Sequence, residues 1–204
     1  MRAPPKKNYI SPEEYLAFER ESPEKHEYFD GEIFDMAGAS EEHANITSNI
    51  NISLGVELKK RPCKTYQSDL RVHIPATGLY TYPDIFVVCG KPQLLPDAYL
   101  DTITNPVLIV EVLSPTTADY DKGAKFDHYR TIETLREYLL VWQDKKRAAR
   151  YTKRDDGSWV LRDFIGDEAA IELSSIDCRL TMDDIYDKVE FENTEADNAE
   201  TEPA

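Results

Sequence analysis

Two acidic residues stand where a charge is costly in this sequence. Asp84 follows Pro83 and begins an apolar run, and Glu111 interrupts the otherwise apolar run 107–113. A carboxylate in a buried strand must be paired, hydrogen-bonded or bound to a cation. If the two strands are neighbours, both carboxylates can reach one point at the strand ends. With a backbone carbonyl they would form a hard oxygen site that suits Mg²⁺. An internal ion pair of Glu111 with a Lys or Arg is the alternative.

A lysine on the next predicted helix could complete such a site. Lys125 shares helical spacing with Lys122 and Tyr129, and the first turns of this helix can lie over the end of the preceding strand. An ammonium there can position an attacking water or stabilise negative charge on a phosphate. For a single lysine, a solvated helix face is the alternative interpretation.

The elements that must position these residues begin with two helices and a hairpin. The run Ser11-Pro12-Glu13-Glu14 has the pattern of a capped helix start. Asp30-Gly31 lies between two strand-like runs and predicts a two-residue hairpin. A second helix is expected from about Ser40, because apolar residues recur at a spacing of four: Ile46, Ile50, Leu54 and Leu58.

Four strands are predicted after the second helix, at residues 64–73, 84–89, 107–113 and 137–142. A helix of about a dozen residues from Asp119 or Asp121 joins the last two, so these should be parallel neighbours. The order is helix, three strands, helix, strand. We therefore predict an α/β (α+β) fold with a mixed central sheet, an extra N-terminal hairpin, and a C-terminal hairpin around residues 155–157. A short strand near Ile171 and a terminal helix from Thr181 should follow.

Length and charge set the broad class. The 204 residues suit one domain, predicted over 1–189, and the net charge of −15 argues against a protein that coats nucleic acid non-specifically. Residues 190–204 carry six acidic residues and no Lys or Arg, which predicts a disordered, solubilising tail. No run approaches the roughly 18 apolar residues of a membrane span. The basic N-terminus lacks the apolar region of a secretory signal, so we expect a cytoplasmic protein without membrane contact.

Cysteine and histidine residues do not indicate a zinc site. Cys63, Cys89 and Cys178 are far apart, so we expect small, unpaired side chains in a reducing compartment. The four histidines lack metal-ligand spacing.

The chain resembles the Uma-two family of restriction-endonuclease-like proteins, within the PD-(D/E)XK nuclease superfamily. The resemblance covers about residues 9–190. The matching segments are Tyr28-Phe29-Asp30-Gly31-Glu32, Ser68-Asp69-Leu70-Arg71-Val72, Tyr82-Pro83-Asp84-Ile85, Val110-Glu111-Val112-Leu113-Ser114-Pro115-Thr116-Thr117, Asp121…Lys125…Tyr129, and Glu137-Tyr138.

The resemblance implies a restriction-endonuclease-like core and a set of site residues. Asp84, Glu111 and the Val112 carbonyl would be metal ligands for Mg²⁺ or Mn²⁺. The superfamily lysine two residues after Glu111 is replaced by Leu113, and Lys125 would take its place, with Lys122 as a weaker candidate. Three further residues are secondary candidates: Glu27 for a second metal or as a surface residue, His43 for a water or phosphate or as a capping residue, and Asp69 as a structural residue.

The predicted function is Mg²⁺-dependent hydrolysis of phosphodiester bonds in DNA by an endonuclease. The alternatives are a catalytically silent DNA- or protein-binding module on a nuclease scaffold, favoured by the low basicity, and a small-molecule hydrolase. Two basic clusters could contact phosphates, Lys59-Lys60-Arg61 with Lys64 and Lys145-Lys146-Arg147 with Arg150. A homodimer is plausible because cutting two strands needs two sites.

Overall fold

The computed structural model of the protein describes residues 9–167 and 169–191. The helices are α1 Pro12–Glu21, α2 Glu41–Glu57, α3 Ala118–Lys122, α4 Ala124–Tyr129 and α5 Met182–Ile185. The strands are β1 His26–Phe29, β2 Glu32–Asp35, β3 Cys63–Gln67, β4 Arg71–Ile74, β5 Leu79–Thr81, β6 Ile85–Cys89, β7 Thr102–Ile103, β8 Leu108–Leu113, β9 Glu137–Trp142, β10 Arg147–Lys153, β11 Trp159–Ile165, β12 Ala170–Leu173 and β13 Cys178–Thr181.

A six-stranded mixed sheet of order β11-β10-β9-β8-β6-β3 forms the centre of the fold. β6 pairs antiparallel with β8, and β8 pairs parallel with β9. The connection between the parallel strands contains α3 and α4, as the crossover prediction required. The predicted core order and mixed α/β fold are therefore confirmed.

Helices cover both faces of this sheet. On one face, the predicted apolar stripe of α2 is buried against β6, β8 and β9, and Ser40 accepts a hydrogen bond from the His43 amide at its N-cap. On the other face, Phe126 and Tyr129 of α4 pack on Ile109 and Leu113 of β8. Alternate residues of β8 therefore face different helices, and Glu111 shares the α4 face with Ile109 and Leu113.

The N-terminal predictions are confirmed in detail. Ser11 and Glu14 form a reciprocal capping box at the start of α1, with Pro12 in its first turn. Asp30 and Gly31 have φ angles of 48° and 84°, the left-handed conformation that a two-residue hairpin turn requires. The hairpin belongs to a second sheet of order β2-β1-β5-β4-β7, which the sequence did not predict.

The strand predicted at 64–73 is wrong in its extent. It is interrupted by a turn in which the Leu70 amide donates to the Gln67 carbonyl, and its two halves belong to different sheets. β3 ends at Gln67 beside β6, whereas β4 begins at Arg71 and pairs with β5 and β7. The polar residues Ser68 and Asp69 occupy the turn. The apolar residues of β3 and β4 alternate in a pattern that happens to continue across it, which is why the sequence resembles one long strand.

The crossover helix is also divided. Gly123, with φ −112° and ψ −98°, separates α3 from α4 instead of continuing one helix of about a dozen residues. A Cβ at this position would lie 3.1 Å from the Asp119 carbonyl oxygen. The break lets α3 and α4 approach the sheet as separate segments.

The prediction of unpaired cysteines is wrong for two of the three. Cys63 of β3 and Cys89 of β6 lie directly opposite each other and form a disulfide, with their Cα atoms 3.9 Å apart. Cys178 is a free, buried thiol. The pairing depends on the register of strands that are not consecutive in the chain, which residue spacing does not reveal.

The C-terminal part follows the predictions closely. β10 and β11 form the expected hairpin, β12 contains Ile171, and Thr181 caps α5. Within the described residues, none of the helices has the length and apolar character needed to cross a membrane.

The boundary predicted for the acidic tail, residue 190, includes a residue that packs on the core. The ring of Phe191 lies 5.5 Å from that of Tyr186, and Phe191 packs against the cluster under α2. The rest of the predicted tail, 192–204, lies outside the described residues.

Two truncations should separate Phe191 from the acidic segment. Deleting 190–204 removes a partly buried aromatic ring, worth about 1–1.5 kcal/mol, and should lower the melting temperature by about 2–5 °C. Deleting 192–204 should leave it nearly unchanged, as expected for so polar a sequence. Thermal unfolding by circular dichroism measures both. Equal melting temperatures for the two truncations would show that Phe191 contributes nothing.

Candidate active site

Asp84 and Glu111 are brought together where β8 continues beyond the start of its antiparallel neighbour β6. The pairing of β6 with β8 begins at Ile85 and Val110, so the last residues of β8 extend past the start of β6. The Val112 amide donates to Asp84 Oδ2 at 2.7 Å, and the Asp84 amide donates to Glu111 Oε2 at 3.2 Å. The two carboxylates therefore lie together at the ends of two neighbouring strands, as expected.

His43, in the first turn of α2, also reaches this point. Its Nε2 lies 3.2 Å from Asp84 Oδ2, and its ring hydrogen-bonds the Val112 backbone. Burial disfavours the imidazolium, but these hydrogen bonds and the nearby Glu111 outweigh burial and raise the pKa of His43. His43 thus lies beside the candidate site, and its ring contacts Asp84 and Val112, two of the three residues predicted to hold a metal.

Lys125 is the centre of the charged cluster. Its buried Nζ lies 3.0 Å from Glu111 Oε1, 3.2 Å from Glu27 Oε1 and 3.5 Å from Asp121 Oδ1. Glu27 comes from β1 of the second sheet, Glu111 from β8 and Asp121 from α3, so carboxylates from three elements converge on the ammonium carried by α4. The internal ion pair that was the alternative for Glu111 exists, and its partner is Lys125.

Hydroxyl groups hold the carboxylates around this ammonium. Tyr129 donates to Glu111 Oε1 at 2.7 Å, and Thr81 donates to Glu27 Oε1 at 2.5 Å. Tyr120, at the more exposed side, donates to Glu27 Oε2 at 3.4 Å. These bonds restrict the rotamers of two acidic side chains, which is the preorganisation that a binding site needs.

The cluster has more negative than positive charge. Asp84, Glu27, Glu111 and Asp121 face one ammonium and one imidazole. Because charges this close cannot all stay ionised in a dry site, the carboxyls respond. Burial, opposed in part by Lys125, raises the pKa of Glu111 to about 8. Burial also raises the pKa of Asp121.

The ammonium responds in the opposite sense. Burial disfavours its charged form, but the carboxylates, with Glu111 the strongest, raise the pKa of Lys125 well above its usual value. Lys125 is therefore a permanent cation, and a bound divalent cation would take the place of the proton that burial keeps on Glu111.

The donor set suits a hard divalent cation. The carboxylates of Asp84 and Glu111 lie beside each other and beside Val112, whose amide donates to Asp84. Carboxylate and backbone carbonyl oxygens are the ligands that Mg²⁺ prefers. In residues 9–167 and 169–191, no three His, Cys, Asp or Glu side chains form a ready-made cage for a metal ion. The proposed site therefore depends on two side chains and a main-chain carbonyl, with water completing the shell.

Two of the predicted candidates lie outside the cluster. Asp69 is an exposed turn residue, paired with Lys25 at 2.7 Å, and not part of the strand predicted over 64–73. Lys122 Nζ lies 3.9 Å from Asp119 and 5.4 Å from the centroid of the Trp142 ring. The structure thus distinguishes Lys122 from Lys125 by position.

Tyr129 shares helical spacing with Lys125 in the sequence, and the structure adds its hydrogen bond to Glu111. Other site residues had no assigned role. Asp121 belongs to a segment that matched the family, and its position four residues before Lys125 could have indicated their contact. The contacts of Thr81 and Tyr120 with Glu27 depend on the packing of the second sheet, for which the sequence has no local signal.

Comparison with known proteins supports the family assignment. The model of the Uma2 family, described as "Putative restriction endonuclease", matches residues 12–183. Two similar proteins come from Synechocystis sp. The uncharacterized protein sll1609 is 40% identical over 79% of this chain and 90% of its own length. The uncharacterized protein slr1290 is 38% identical over 89% of this chain and 94% of its own length.

A solved structure shares the fold. The crystal structure described as a "putative nuclease belonging to DUF820" from Anabaena variabilis superposes with a TM-score of 0.70 at 19% identity, over 87% of this chain and 97% of its own. The match of the family model over most of the chain is decisive, and this chain belongs to the Uma2 family.

Proposed function

We propose that this protein is a Mg²⁺-dependent endonuclease that hydrolyses phosphodiester bonds in DNA. The observation that carries the proposal is the excess of buried carboxylate around Lys125 at the sheet edge, since a buried charge imbalance of this kind favours a bound cation. Membership of a family described as restriction endonucleases supports the reaction class.

In the proposed site, Asp84, Glu111 and the Val112 carbonyl would hold the metal ion. A bound Mg²⁺ or Mn²⁺ would supply a water of lowered pKa and neutralise charge on the scissile phosphate. Lys125 would donate hydrogen bonds to the attacking water or to the phosphate oxygens as their negative charge grows. Tyr129 and Asp121 would position Glu111 and Lys125, respectively.

Glu27 and His43 have supporting roles in this proposal. Glu27, fixed by Thr81, holds Lys125 from the side of the second sheet and could bind a second metal. His43 lies against Asp84 and would orient that carboxylate or a water on it. A homodimer would place two such sites on a duplex, and light scattering of the purified protein tests its existence.

A catalytically silent DNA- or protein-binding module is the second candidate, favoured by the net charge of −15. Plasmid and single-stranded DNA incubated with Mg²⁺, Mn²⁺ or EDTA distinguish the two. The proposal requires cleavage with a metal ion and none in EDTA. Binding of DNA without cleavage in either metal would favour the silent module.

The metal should stabilise the protein by mass action. At a Mg²⁺ or Mn²⁺ concentration of about a hundred times Kd, stability should rise by about 2.7 kcal/mol, a melting shift of about 5–10 °C. Asp84→Ala or Glu111→Ala should abolish the shift, because each removes a proposed ligand. Asp69→Ala, which removes an exposed carboxylate outside the cluster, is the control and should retain it. A full shift in both cluster variants would contradict the ligand assignment.

Stability without metal should depend on pH through Glu111. Its pKa is raised from 4.5 to about 8 in the folded protein, so the folded state keeps a proton that the unfolded chain releases. Its stabilising contribution is thus complete below about pH 4.5 and is lost as pH rises to about 8. The Glu111→Gln side chain cannot ionise. The melting temperature of this variant in EDTA should therefore rise relative to that of the wild type as pH increases from about 4.5 to about 8.

The surface variant Glu172→Gln serves as the control for this titration and should follow the wild type. A constant difference between Glu111→Gln and the wild type from pH 4.5 to 8 would show that Glu111 does not hold its proton in the fold.

Lys125 should contribute mainly to the rate. Lys125→Ala should lower metal-dependent DNA cleavage by roughly 10²-fold or more, since its contacts to the reacting groups strengthen in the transition state. The melting temperature of Lys125→Ala without metal should fall, because the variant leaves buried carboxyl groups without their cation. The rise in melting temperature on adding metal should remain, which separates lost chemistry from lost metal binding. Lys122→Ala should have a far smaller effect on kcat. Equal kcat values for the two variants, or a dead Lys122→Ala, would show that the assignment of Lys125 is wrong.

A further inference from the structure

A cluster of one aromatic and two cationic side chains lies on the same face of the central sheet as Glu111, at the same end of its strands. Trp142, the last residue of β9, pairs with Leu113, two residues beyond the pairing of Glu111 with Leu140. The guanidinium of Arg147 lies 4.5 Å from the centroid of its indole ring, and Lys122 Nζ lies 5.4 Å from it. We call these three residues the Trp142 cluster.

The Trp142 cluster is close to the proposed active site. Paired residues on parallel strands point to the same face, so Trp142 and Glu111 are on one side of the sheet. Two residues along a strand and one strand across place their Cα atoms about 8 Å apart. Lys122 is the last residue of α3 and precedes Lys125, in the first turn of α4, by three residues.

The turn that carries Arg147 is held in place from the opposite side. The Tyr186 hydroxyl lies 2.8 Å from the carbonyl oxygens of both Trp142 and Arg147, to which it can donate, and it accepts from the Arg147 amide at 3.2 Å. Tyr186 is itself buried in the core under α2. The indole and the guanidinium are thus anchored on a fixed backbone, which lowers the entropic cost of binding a ligand.

The two cations remain available to a ligand. Lys122 and Arg147 have side chains 37% and 38% exposed, and each has one exposed carboxylate partner, Asp119 at 3.9 Å and Asp163 at 2.8 Å. Surface ion pairs of this kind contribute little, so a phosphate can replace the carboxylate at small cost. The neighbouring Lys145 and Lys146 likewise pair with exposed acids.

We propose that Lys122 and Arg147, aligned by the Trp142 ring, bind the phosphodiester backbone of DNA next to the scissile phosphate. This proposal rests on the proposed nuclease function and adds the substrate contact that the acidic metal site cannot make. The structure also places the two basic clusters of the sequence at opposite ends of the central strands. Arg147 follows β9 at the strand ends that carry Asp84 and Glu111, whereas Lys64 pairs with Val88 near the opposite end of β6.

The chain offers a charge-matched control for this proposal. Lys153 lies 5.9 Å from the centroid of Trp159, and Arg162 lies 5.0 Å from that of Phe164. Lys153 stands at the far end of β10, where β9 begins. The double variant Lys153→Ala/Arg162→Ala therefore removes the same charge, and the same kinds of cation–aromatic contact, away from the site.

DNA binding is measured by fluorescence anisotropy of a labelled oligonucleotide in EDTA, which prevents cleavage during the titration and leaves the rest of the chain unchanged. Adding Lys122→Ala/Arg147→Ala should weaken binding at least tenfold. It should also reduce the slope of log affinity against log salt by about 1.4–1.8, the value for two lost phosphate contacts. The control pair should change neither. In the active protein, the same loss should raise KM and leave kcat within about twofold.

Three results would overturn the proposal. Unchanged binding in the Lys122→Ala/Arg147→Ala variant is the first, and equal weakening in the control pair, which would show a general charge effect, is the second. In both cases DNA cleavage by the wild-type protein would leave the nuclease function intact. A wild-type protein that neither cleaves nor binds DNA is the third, and that result would overturn the nuclease function together with the proposed contact.

Discussion

The buried ammonium of Lys125 is the interaction on which the architecture of the site depends. It lies within 3.5 Å of carboxylates from β1, β8 and α3, and no other described cation reaches all three. Burying these acids without it would leave several uncompensated charges, each costing several kcal/mol. Lys125 thus links the second sheet, the central sheet and the crossover helices. Its single positive charge does not balance all of the carboxyl groups that these elements bring to it.

The strand register determines the rest of the site. Because β8 extends past the first residue of β6, Val112 has a strand partner in β9 but none in β6, and on the β6 side its backbone meets Asp84 and His43 instead. The same extension brings Trp142 of the parallel neighbour to the edge. The proposed metal site, its lysine and the Trp142 cluster thus lie within a few residues of one strand end, where the proposed function would require the substrate to be held.

Much of this arrangement could be predicted from the sequence, and the part that could not has a common cause. The stripe of α2, the parallel strands β8 and β9 and the positions of Asp84 and Glu111 follow from local patterns and costly charges. The place of Lys125 in the site was implied by the family resemblance, since its residue pattern alone also fitted a solvated helix face. The turn at Ser68-Asp69, the disulfide of Cys63 with Cys89 and the contact of Thr81 with Glu27 depend on pairing between distant segments. Such pairing is decided by tertiary packing, which periodicity does not describe.

The central claim is that the carboxylate excess at the edge of β8 binds a divalent cation. Anomalous diffraction from crystals grown with Mn²⁺ tests it most directly, because the signal locates the ion without reference to activity. The account predicts a peak in contact with the Asp84 and Glu111 carboxylates and the Val112 carbonyl, and its loss in crystals of Asp84→Ala. A well-ordered site without that peak, or with Mn²⁺ bound elsewhere, would contradict it.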